Sequence, residues 1–376
     1  MNFDLSQERV MLQDSLRRFL RDRHSPQMQN AAQYPPGYDA GLWSGLAELG
    51  VFAALFSEKD GGFGGLGADI AVVFEELGRA GVTAPVTETC ILGGGLLSRL
   101  GDSNQKELIT GIMEGSCQIA LAHAEPDGRY DLSFVSARAV PQSDGIVLNG
   151  QKSVVVNAQA ADFLIISARE DGAADASEGI SLFLVPSGAD GIVMRDFALV
   201  GGGRAAEISI ENLLVSEAAR LGPAGAAFPV LEEVTAAAIT ATCAATLGAM
   251  ISAADLTRDY LATRKQFGRP IGSFQALAHR MADMMIALEQ ARSAVILAAG
   301  HLEASRDVRE LHASAAKNLI GRTGRLIAEE SIQMHGGIGM TAEYGLGHLA
   351  RQIVMADHRF GDTDHHLERF IALTAA

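Results

Sequence analysis

The middle of the chain changes its residue pattern, and this change limits the folds that the chain can adopt. Between residues 117 and 215, short β-branched runs are separated by Gly, Pro, Asp or Asn, which is typical of strands: CQIALAHAE, SARAV, GIVLNGQKSVVV, ADFLIISARE, GISLFLVPS and AEISIENLLV. The flanking segments repeat apolar residues every three or four positions, which is typical of helices. The order helices, strands, helices predicts a mainly α chain with a β-barrel or sandwich domain in its middle.

Long helical patterns lie on both sides of the strand-rich segment. In SQERVMLQDSLRRFLRD, Ser6 is placed to cap a helix whose apolar residues fall largely on one face. After GPAGAAF the helical pattern returns over Val230 to about Arg264, Phe274 to His301 and Val308 to Met334. We therefore expect an N-terminal helical domain at 1–115, a middle β domain at 116–220 and a C-terminal helical bundle at 221–376.

Composition excludes several classes of protein. A formal charge of -15 over 376 residues argues against a nucleic-acid partner, because phosphate backbones are bound by clustered Lys and Arg. The three cysteines, Cys90, Cys117 and Cys243, form neither a CxxC pair nor a disulfide framework and indicate a reducing compartment. No apolar run approaches the roughly 18 residues of a membrane span, and we expect no secretory signal at the N-terminus, which has acids and no apolar core region. We expect a cytoplasmic protein without a membrane span.

Three short motifs have structural explanations beside functional ones. Gly62, Gly64 and Gly67 fit the dinucleotide pattern GxGxxG, yet no βαβ alternation surrounds them. The stretch VGGGRAAEISI fits GxGxxA, and a turn between strands explains it better. Asp362 and His366 have the i, i+4 spacing of a shared metal, but caps and solvated residues are the more common role of such groups, and we expect no metal site.

The stretch TRKQFGRPIG, residues 263–272, interrupts a helical pattern with cations, an amide and an aromatic ring just before Pro270. One interpretation is a solvated loop between two helices. The other is a site for an anionic, partly aromatic ligand, because Arg can grip phosphate and a ring can stack on a base. A second stretch, QMHGGIGMTAEYG, has glycines that either end a helix or let a ligand approach the backbone closely.

Taken in order, these segments closely resemble the acyl-CoA dehydrogenase family of flavoproteins. The resemblance spans nearly the whole chain: LWSGLAELG, DGGFGG, EELGRA, the AEP turn at Ala124 to Pro126, LNGQK at 148–152, TRKQFGRPIGSFQALAHRMADM and QMHGGIGMTAEY. It implies an N-terminal helical domain, a β-barrel-like middle domain and a C-terminal four-helix bundle. Members of the family are usually tetramers that bind FAD between the middle and C-terminal domains.

The resemblance also implies residue roles. Arg264, Gln266 and Phe267 would reach the FAD of a neighbouring subunit, with Arg264 on the pyrophosphate. Gln333 and the backbone of Gly336 and Gly337 would line another stretch of the same cofactor. The implied reaction removes hydrogens from Cα and Cβ of an acyl-CoA thioester, as in fatty-acid β-oxidation, with a glutamate base for the α proton, hydride transfer to FAD and an electron-transferring flavoprotein as acceptor.

The sequence departs from the family where the base is expected. Counting from Glu343 places residues 359–362 on the family's Tyr-Glu-Gly-Thr segment, so Phe360 replaces the glutamate, and sliding by one residue puts Gly361 there. A second family location of the base, on the first helix of the bundle, reads Ala238. Asp362 is the nearest acid and the candidate base, although a helix-capping role is the alternative.

The middle domain departs from the family too. The Trp-Ile-Thr-Asn that follows LNGQK in the family reads Val154, Val155, Val156 and Asn157, which removes an indole and a hydroxyl from the flavin's surroundings. Two hypotheses follow. The chain is either a working FAD-dependent acyl-CoA dehydrogenase with an unconventional base, or the base-lacking partner of a homologous catalytic subunit in a hetero-oligomer. The missing bases favour the partner.

Overall fold

The computed structural model describes residues 5–24 and 34–375. The helices are α1 (Gln7–Arg23), α2 (Ala40–Glu48), α3 (Gly67–Ala80), a π-helix (Thr87–Gly94), α4 (Gly95–Leu100), α5 (Ser103–Met113), α6 (Phe228–Thr263), α7 (Gln275–Gly300), α8 (Arg306–His335), α9 (Gly345–Ala356) and α10 (Thr363–Ala375). The strands are β1 (Ile119–Ala122), β2 (Arg138–Gln142), β3 (Gly145–Val156), β4 (Phe163–Arg169), β5 (Ile180–Pro186), β6 (Ile192–Ala198), β7 (Arg204–Val215), β8 (Arg220–Leu221), β9 (Lys265–Gln266) and β10 (Arg269–Pro270). The predicted order of helices, strands and helices is confirmed.

The chain divides into two compact units. A helical unit comprises Met1–Asn30, Leu66–Thr83 and Ile239–Ala376, and a sheet unit comprises Ala31–Gly65 and Ala84–Ala238. The predicted boundaries at 115 and 220 stay a prediction.

The sheet unit is built on eight strands in the order β6-β7-β3-β2-β4-β5-β8, with β1 pairing parallel to β4. β2 and β4 are also parallel, whereas β3 pairs antiparallel with β2 and with β7. Alternating apolar residues from these strands form one core, in which Leu164, Ile166 and Phe183 are fully buried. Because β4 is buried along almost its whole length, its two polar residues, Ser167 and Arg169, are enclosed by protein.

The helical unit packs α7, α8, α9 and α10 together, with α1 against α3. Ser6 caps α1, as predicted, by accepting a hydrogen bond from the Arg9 N–H. Arg9 then pairs with Asp69, and Arg17 pairs with Glu76, so that α1 is tied to α3 by two ion pairs.

The helix α6 corrects one expectation from the sequence. Its 36 residues are long and apolar enough, by length and composition, to cross a membrane, so the statement that no apolar run approaches that length was wrong. However, 83% of its most apolar window is buried inside the protein. Apolar residues all round a helix are equally what a core helix requires.

Candidate functional site

The segment between α6 and α7 forms a two-stranded hairpin. β9 and β10 pair antiparallel, with Arg269 opposite Gln266. Phe267 and Gly268 make the turn, with φ angles of 53° and 77°. Two adjacent positive φ angles are typical of the tight turns that join hairpin strands. The hairpin therefore fixes the direction in which the basic and aromatic side chains of the segment are presented.

The side chains of this hairpin are open to solvent. Phe267 at the tip is 91% exposed, and its ring meets that of Phe274 edge-on at 6.0 Å. The Arg269 guanidinium lies 4.2 Å from the Phe274 ring centroid, and this cation–π interaction stabilises the position of the Phe274 ring. Arg264 and Gln266 are exposed, and Arg264 makes no ion pair with any residue in 5–24 or 34–375. The hairpin thus offers a guanidinium and a ring that a ligand can engage.

A second open element follows α8. Gly336 has a φ of 68°, and a Cβ added to Gly336 or Gly337 would meet no described atom within 4 Å. Gln333, near the end of the same helix, is exposed. Because these glycines carry no side chain and face open space, a ligand can reach their backbone N–H and C=O groups.

The two open elements leave from neighbouring helix ends. His335, the last residue of α8, stacks on Tyr260 of α6 with ring centroids 4.5 Å apart. The Arg264 N–H donates to the Tyr260 carbonyl over 2.8 Å, and Gly336 follows His335 directly. His335 Nδ1 lies 2.8 Å from the Ser331 carbonyl and Nε2 lies 3.1 Å from the Tyr344 hydroxyl, and burial lowers the pKa of His335. A neutral imidazole therefore holds the two helix ends together.

These elements fit the cofactor that the sequence implies. An exposed guanidinium suits a diphosphate, an exposed ring suits stacking, and bare glycine backbone suits close approach. The roles of Arg264, Gln266, Phe267, Gln333, Gly336 and Gly337 as FAD-binding residues stay a prediction.

The segment 357–363, where a base is expected, is held by hydrogen bonds from two side chains of α8. Lys317 of α8 is 1% exposed, and its ammonium donates to the carbonyls of Asp357 and Gly361 over 2.8 and 2.7 Å. Asn318 donates to the Thr363 carbonyl over 2.9 Å. Burial lowers the pKa of Lys317, and the Asp357 carboxylate at 3.8 Å partly offsets that effect. The backbone of the segment is consequently fixed in one arrangement.

Asp362 lies at the start of α10 and caps it. Its Oδ1 accepts the His365 N–H over 2.9 Å. Phe360 and Gly361 before it have φ angles of 57° and 106°, and a Cβ on Gly361 would approach the rings of His365 and His366 within 2.5 to 2.7 Å. The structure thus provides the capping contact that sequence reasoning gave as the alternative to a base.

The strand end that lacks the family's Trp is strained and open. Val154 has a φ of 51° and is 51% exposed, and the β3–β7 pairing shifts register between Lys152 and Val155. A β-branched residue at positive φ is an outlier, and such strain is kept only where the surroundings impose it. Asn157, with a φ of 64°, is buried and donates to Gln118 over 2.9 Å. The buried hydrogen bond of Asn157 therefore fixes the bulge, while Val154 is exposed to solvent.

A buried polar network in the sheet unit was not recognised from the sequence. Lys152 is fully buried and donates to Glu125 over 2.7 Å and to Ser167 over 2.8 Å. The Ser167 hydroxyl lies 2.9 Å from His123 Nδ1, and His123 Nε2 lies 3.0 Å from the Leu132 carbonyl. Burial, followed by the charge of Lys152, lowers the pKa of His123 to about 3. The AEP and LNGQK motifs were the available signal, but the sequence did not show that they meet.

The glycine and metal motifs have structural roles. A Cβ on Gly62 would lie 2.3 Å from the Phe56 carbonyl, and one on Gly67 would lie 2.0 Å from the Ala299 carbonyl, so both glycines serve close packing. Gly203, with a φ of 81°, lies in the turn between β6 and β7. In the described part of the chain no three His, Cys, Asp or Glu side chains form a metal cluster. His366 instead has its Nε2 2.9 Å from the Phe360 carbonyl.

Comparison with known proteins identifies the architecture. The N-terminal, middle and C-terminal domain models of acyl-CoA dehydrogenase match residues 6–115, 120–213 and 228–372. The probable acyl-CoA dehydrogenase YngJ of Bacillus subtilis (strain 168) is 28% identical, over 99% of this chain and 98% of that protein. A solved variant of the Tcur3481-Tcur3483 steroid ACAD is 28% identical with a TM-score of 0.88, covering 98% of each chain. PigA with FAD and proline is 26% identical with a TM-score of 0.92, covering 100% of this chain and 99% of that one. The chain belongs to the acyl-CoA dehydrogenase family.

Proposed function

We propose that this chain is a subunit of an FAD-dependent acyl-CoA dehydrogenase that introduces an α,β double bond into an acyl-CoA thioester as part of a hetero-oligomer. The family and the solved relatives that hold FAD make FAD the cofactor. When bound, FAD accepts the hydride that leaves the β carbon. One observation carries the proposal: the open groups suited to FAD are present, whereas the nearest acid to the expected base is used as a helix cap.

The chain's own residues would bind and orient the cofactor. Arg264 would donate two parallel hydrogen bonds to the pyrophosphate, because a guanidinium matches the spacing of phosphate oxygens. Phe267 would cover an aromatic part of the cofactor. The backbone of Gly336 and Gly337 would complete the surface, since no side chain stands in the way.

The α proton requires a base, and this chain offers a poor one. Asp362 already accepts a backbone N–H through Oδ1, and Lys317, Asn318 and His366 hold the backbone around it. To abstract a proton, the carboxylate would have to lie within about 3 Å of the substrate Cα hydrogen, and leaving the cap would uncap α10. We therefore propose that a homologous subunit supplies the base.

The alternative within the same family is a non-catalytic partner that completes the FAD site and has no activity alone. The outward-facing FAD groups support this role, because Phe267 is almost fully exposed in the single chain. The name of the solved steroid ACAD relative joins two designations, Tcur3481 and Tcur3483, which supports the proposal of a hetero-oligomer. An electron-transferring flavoprotein as acceptor, a tetrameric assembly and a cytoplasmic location belong to the same proposal.

The test is the visible spectrum of the chain purified alone, recorded before and after a panel of acyl-CoA thioesters is added without oxygen. We expect a protein whose flavin is absent or is not bleached. Bleaching with full turnover by the chain alone would contradict the need for a partner. In that case Asp362→Asn should abolish turnover, whereas Asp364→Asn, an exposed acid in the first turn of the same helix, should not. An equal loss in both variants would remove Asp362 as the base.

A further inference from the structure

His335 lies where three helices of the helical unit meet, at the ends of α6 and α8 and the start of α9. Only 4% of it is exposed. Its ring stacks on that of Tyr260 with an interplanar angle of 24°, and the ring of Tyr344, the residue before α9, lies 5.3 Å away. One edge of the imidazole contacts the Ser331 carbonyl, and the other contacts the Tyr344 hydroxyl. A single side chain therefore joins all three helices.

The hairpin 264–270 begins directly beyond one of these contacts. The Tyr260 carbonyl accepts the Arg264 N–H over 2.8 Å and the Thr263 hydroxyl over 3.3 Å. The Ile271 N–H donates to the Arg264 carbonyl over 2.8 Å, which closes the base of the hairpin. Because the hairpin is hydrogen-bonded to the helical turn of Tyr260, the position of that residue sets the position from which the hairpin projects.

The glycine turn, residues 336–340, begins directly beyond His335. The Gly336 N–H donates to the Ile332 carbonyl, and its φ of 68° turns the chain away from the helix. A Cβ added to Gly339 would lie 3.1 Å from the Cβ of His335, so the turn folds back on that residue. The position of His335 therefore sets the position of the glycine turn.

The hairpin and the glycine turn are joined only through their bases. In the part of the chain that the structure describes, no hydrogen bond or ion pair links one to the other. Phe267 at the hairpin tip is 91% exposed, and a Cβ on Gly337 would meet no described atom within 4 Å. The relative position of the two elements therefore depends on the residues at their bases, where Tyr260 and His335 are in direct contact.

We propose that His335 is a positioning residue for FAD, which holds the hairpin and the glycine turn in one arrangement so that both engage the cofactor together. This inference rests on the proposed function, in which the two elements bind different stretches of one FAD. Two groups that are already correctly spaced lose less conformational freedom on binding than two groups that must first be brought together. In this role His335 acts through Tyr260 and Gly336 rather than by contact with the cofactor.

The first experiment asks whether this contact couples the two elements in the chain without cofactor. Hydrogen exchange, followed by mass spectrometry on the full chain, compares the wild type with His335→Ala and Tyr260→Leu. We expect each variant to exchange about tenfold faster in both segments, 264–271 and 336–341, because each loses a ring stack that supports them. Val295→Ala, a buried position near the opposite end of α7 from the hairpin, is the control for general destabilisation and should leave both rates unchanged.

The decisive result is reciprocity between the two sides. A change in α6 must loosen the glycine turn, and a change in α8 must loosen the hairpin. If each variant speeds exchange only in the segment beside it, the two elements are independent and the proposal is overturned. His335→Phe keeps a ring that can stack on Tyr260 but loses both edge contacts, so it should restore most of the protection of the hairpin. It also keeps the test decisive if His335→Ala does not fold.

The second experiment measures the dissociation constant of FAD by equilibrium dialysis with the same full-chain variants. We expect His335→Ala and Tyr260→Leu to bind FAD about tenfold to a hundredfold more weakly, and His335→Phe to recover part of that loss. Val295→Ala should bind FAD as the wild type does. Wild-type affinity in the first two variants, or an equal loss in Val295→Ala, would overturn the positioning role.

Failure of the proposed function would be seen separately. A wild-type chain with no affinity for FAD would contradict the proposed function itself. The exchange experiment contains no cofactor, so it would still decide whether His335 couples the hairpin to the glycine turn.

Discussion

At the scale of single residues, Lys317 is predicted to stabilise the segment that carries Phe360 and Asp362. Lys317→Met removes the donor that serves the carbonyls of Asp357 and Gly361, and the apolar replacement leaves both carbonyls without it. Each unsatisfied buried group costs about 1–3 kcal/mol, so the loss at two carbonyls should lower the free energy of unfolding by about 2–6 kcal/mol. Urea unfolding measures the loss.

The control for this change is Lys106→Met, an exposed lysine on α5. It should alter the unfolding free energy by less than about 0.5 kcal/mol. Hydrogen exchange should show faster exchange of the backbone amides in 357–363 only in the Lys317 variant. If Lys317→Met unfolds at the wild-type urea concentration and exchanges normally, the two hydrogen bonds do not hold the segment.

The sequence could identify Asp362 but not Lys317, and the reason is physical. A candidate base is recognised by its side chain and its spacing from Glu343, both of which are visible in one dimension. The partners of Lys317 are backbone carbonyls 40 and 44 positions away. Because every residue has a backbone carbonyl, the residue types at those positions do not mark them as acceptors. The same limit hid the network of His123, Ser167 and Lys152, whose members come together only when β3 and β4 enter one sheet.

At the scale of elements, the contact of α3 with α6 depends on two glycines. A Cβ on Gly78 would lie 1.8 Å from the Ala245 carbonyl, and one on Gly248 would lie 2.0 Å from the Glu75 carbonyl. Because both obstacles are backbone atoms, a methyl group must push the helices apart. We expect Gly248→Ala to lower the free energy of unfolding by at least about 1–3 kcal/mol, as overpacked cores do.

The sign of that effect makes the measurement informative. An alanine in place of a helical glycine ordinarily stabilises a helix by up to about 1 kcal/mol, so a destabilisation has to come from the contact. Gly188→Ala is the control, because nothing lies within 4 Å of its added Cβ. Chemical denaturation of both variants beside the wild type tests this, and a Gly248→Ala protein more stable than wild type would show that the helices separate at no cost.

Element type was predictable where the periodicity is long, and pairing was not. The predicted helices Val230 to Arg264, Phe274 to His301 and Val308 to Met334 correspond to α6, α7 and α8 with ends within two residues. β6 was missed because it mixes charged and apolar residues and alternates between partly buried and exposed positions. The helix α3 belongs to the same unit as Ile239–Ala376, which is distant in sequence. The periodicity of apolar residues could not predict this, because the close glycine contacts between α3 and α6 produce no repeat in the sequence.

At the scale of the whole molecule, each unit contains a deeply buried histidine that titrates far below its usual range. Burial, followed by the charge of Lys152, lowers the pKa of His123 in the sheet unit to about 3. Burial also lowers the pKa of His366 in the helical unit to about 3, against the opposing hydrogen bond to the Phe360 carbonyl. Both imidazoles are therefore neutral in the folded protein over the range in which an unfolded histidine gains its proton.

This difference predicts acid sensitivity in both units. Below a pH of about 6.5 the unfolded chain binds protons that the folded chain does not, so stability falls as the pH falls towards about 3. Between pH 6.5 and pH 4.5, two pH units at about 1.4 kcal/mol each give a loss of about 2.7 kcal/mol per histidine.

His123→Gln and His366→Gln should each be less stable than wild type at pH 7, yet lose less stability on acidification. Urea midpoints at pH 7, 5.5 and 4.5 measure the slopes. Since each variant removes one titrating group from one unit, a wild-type slope in either would mean that its histidine is protonated in the folded state.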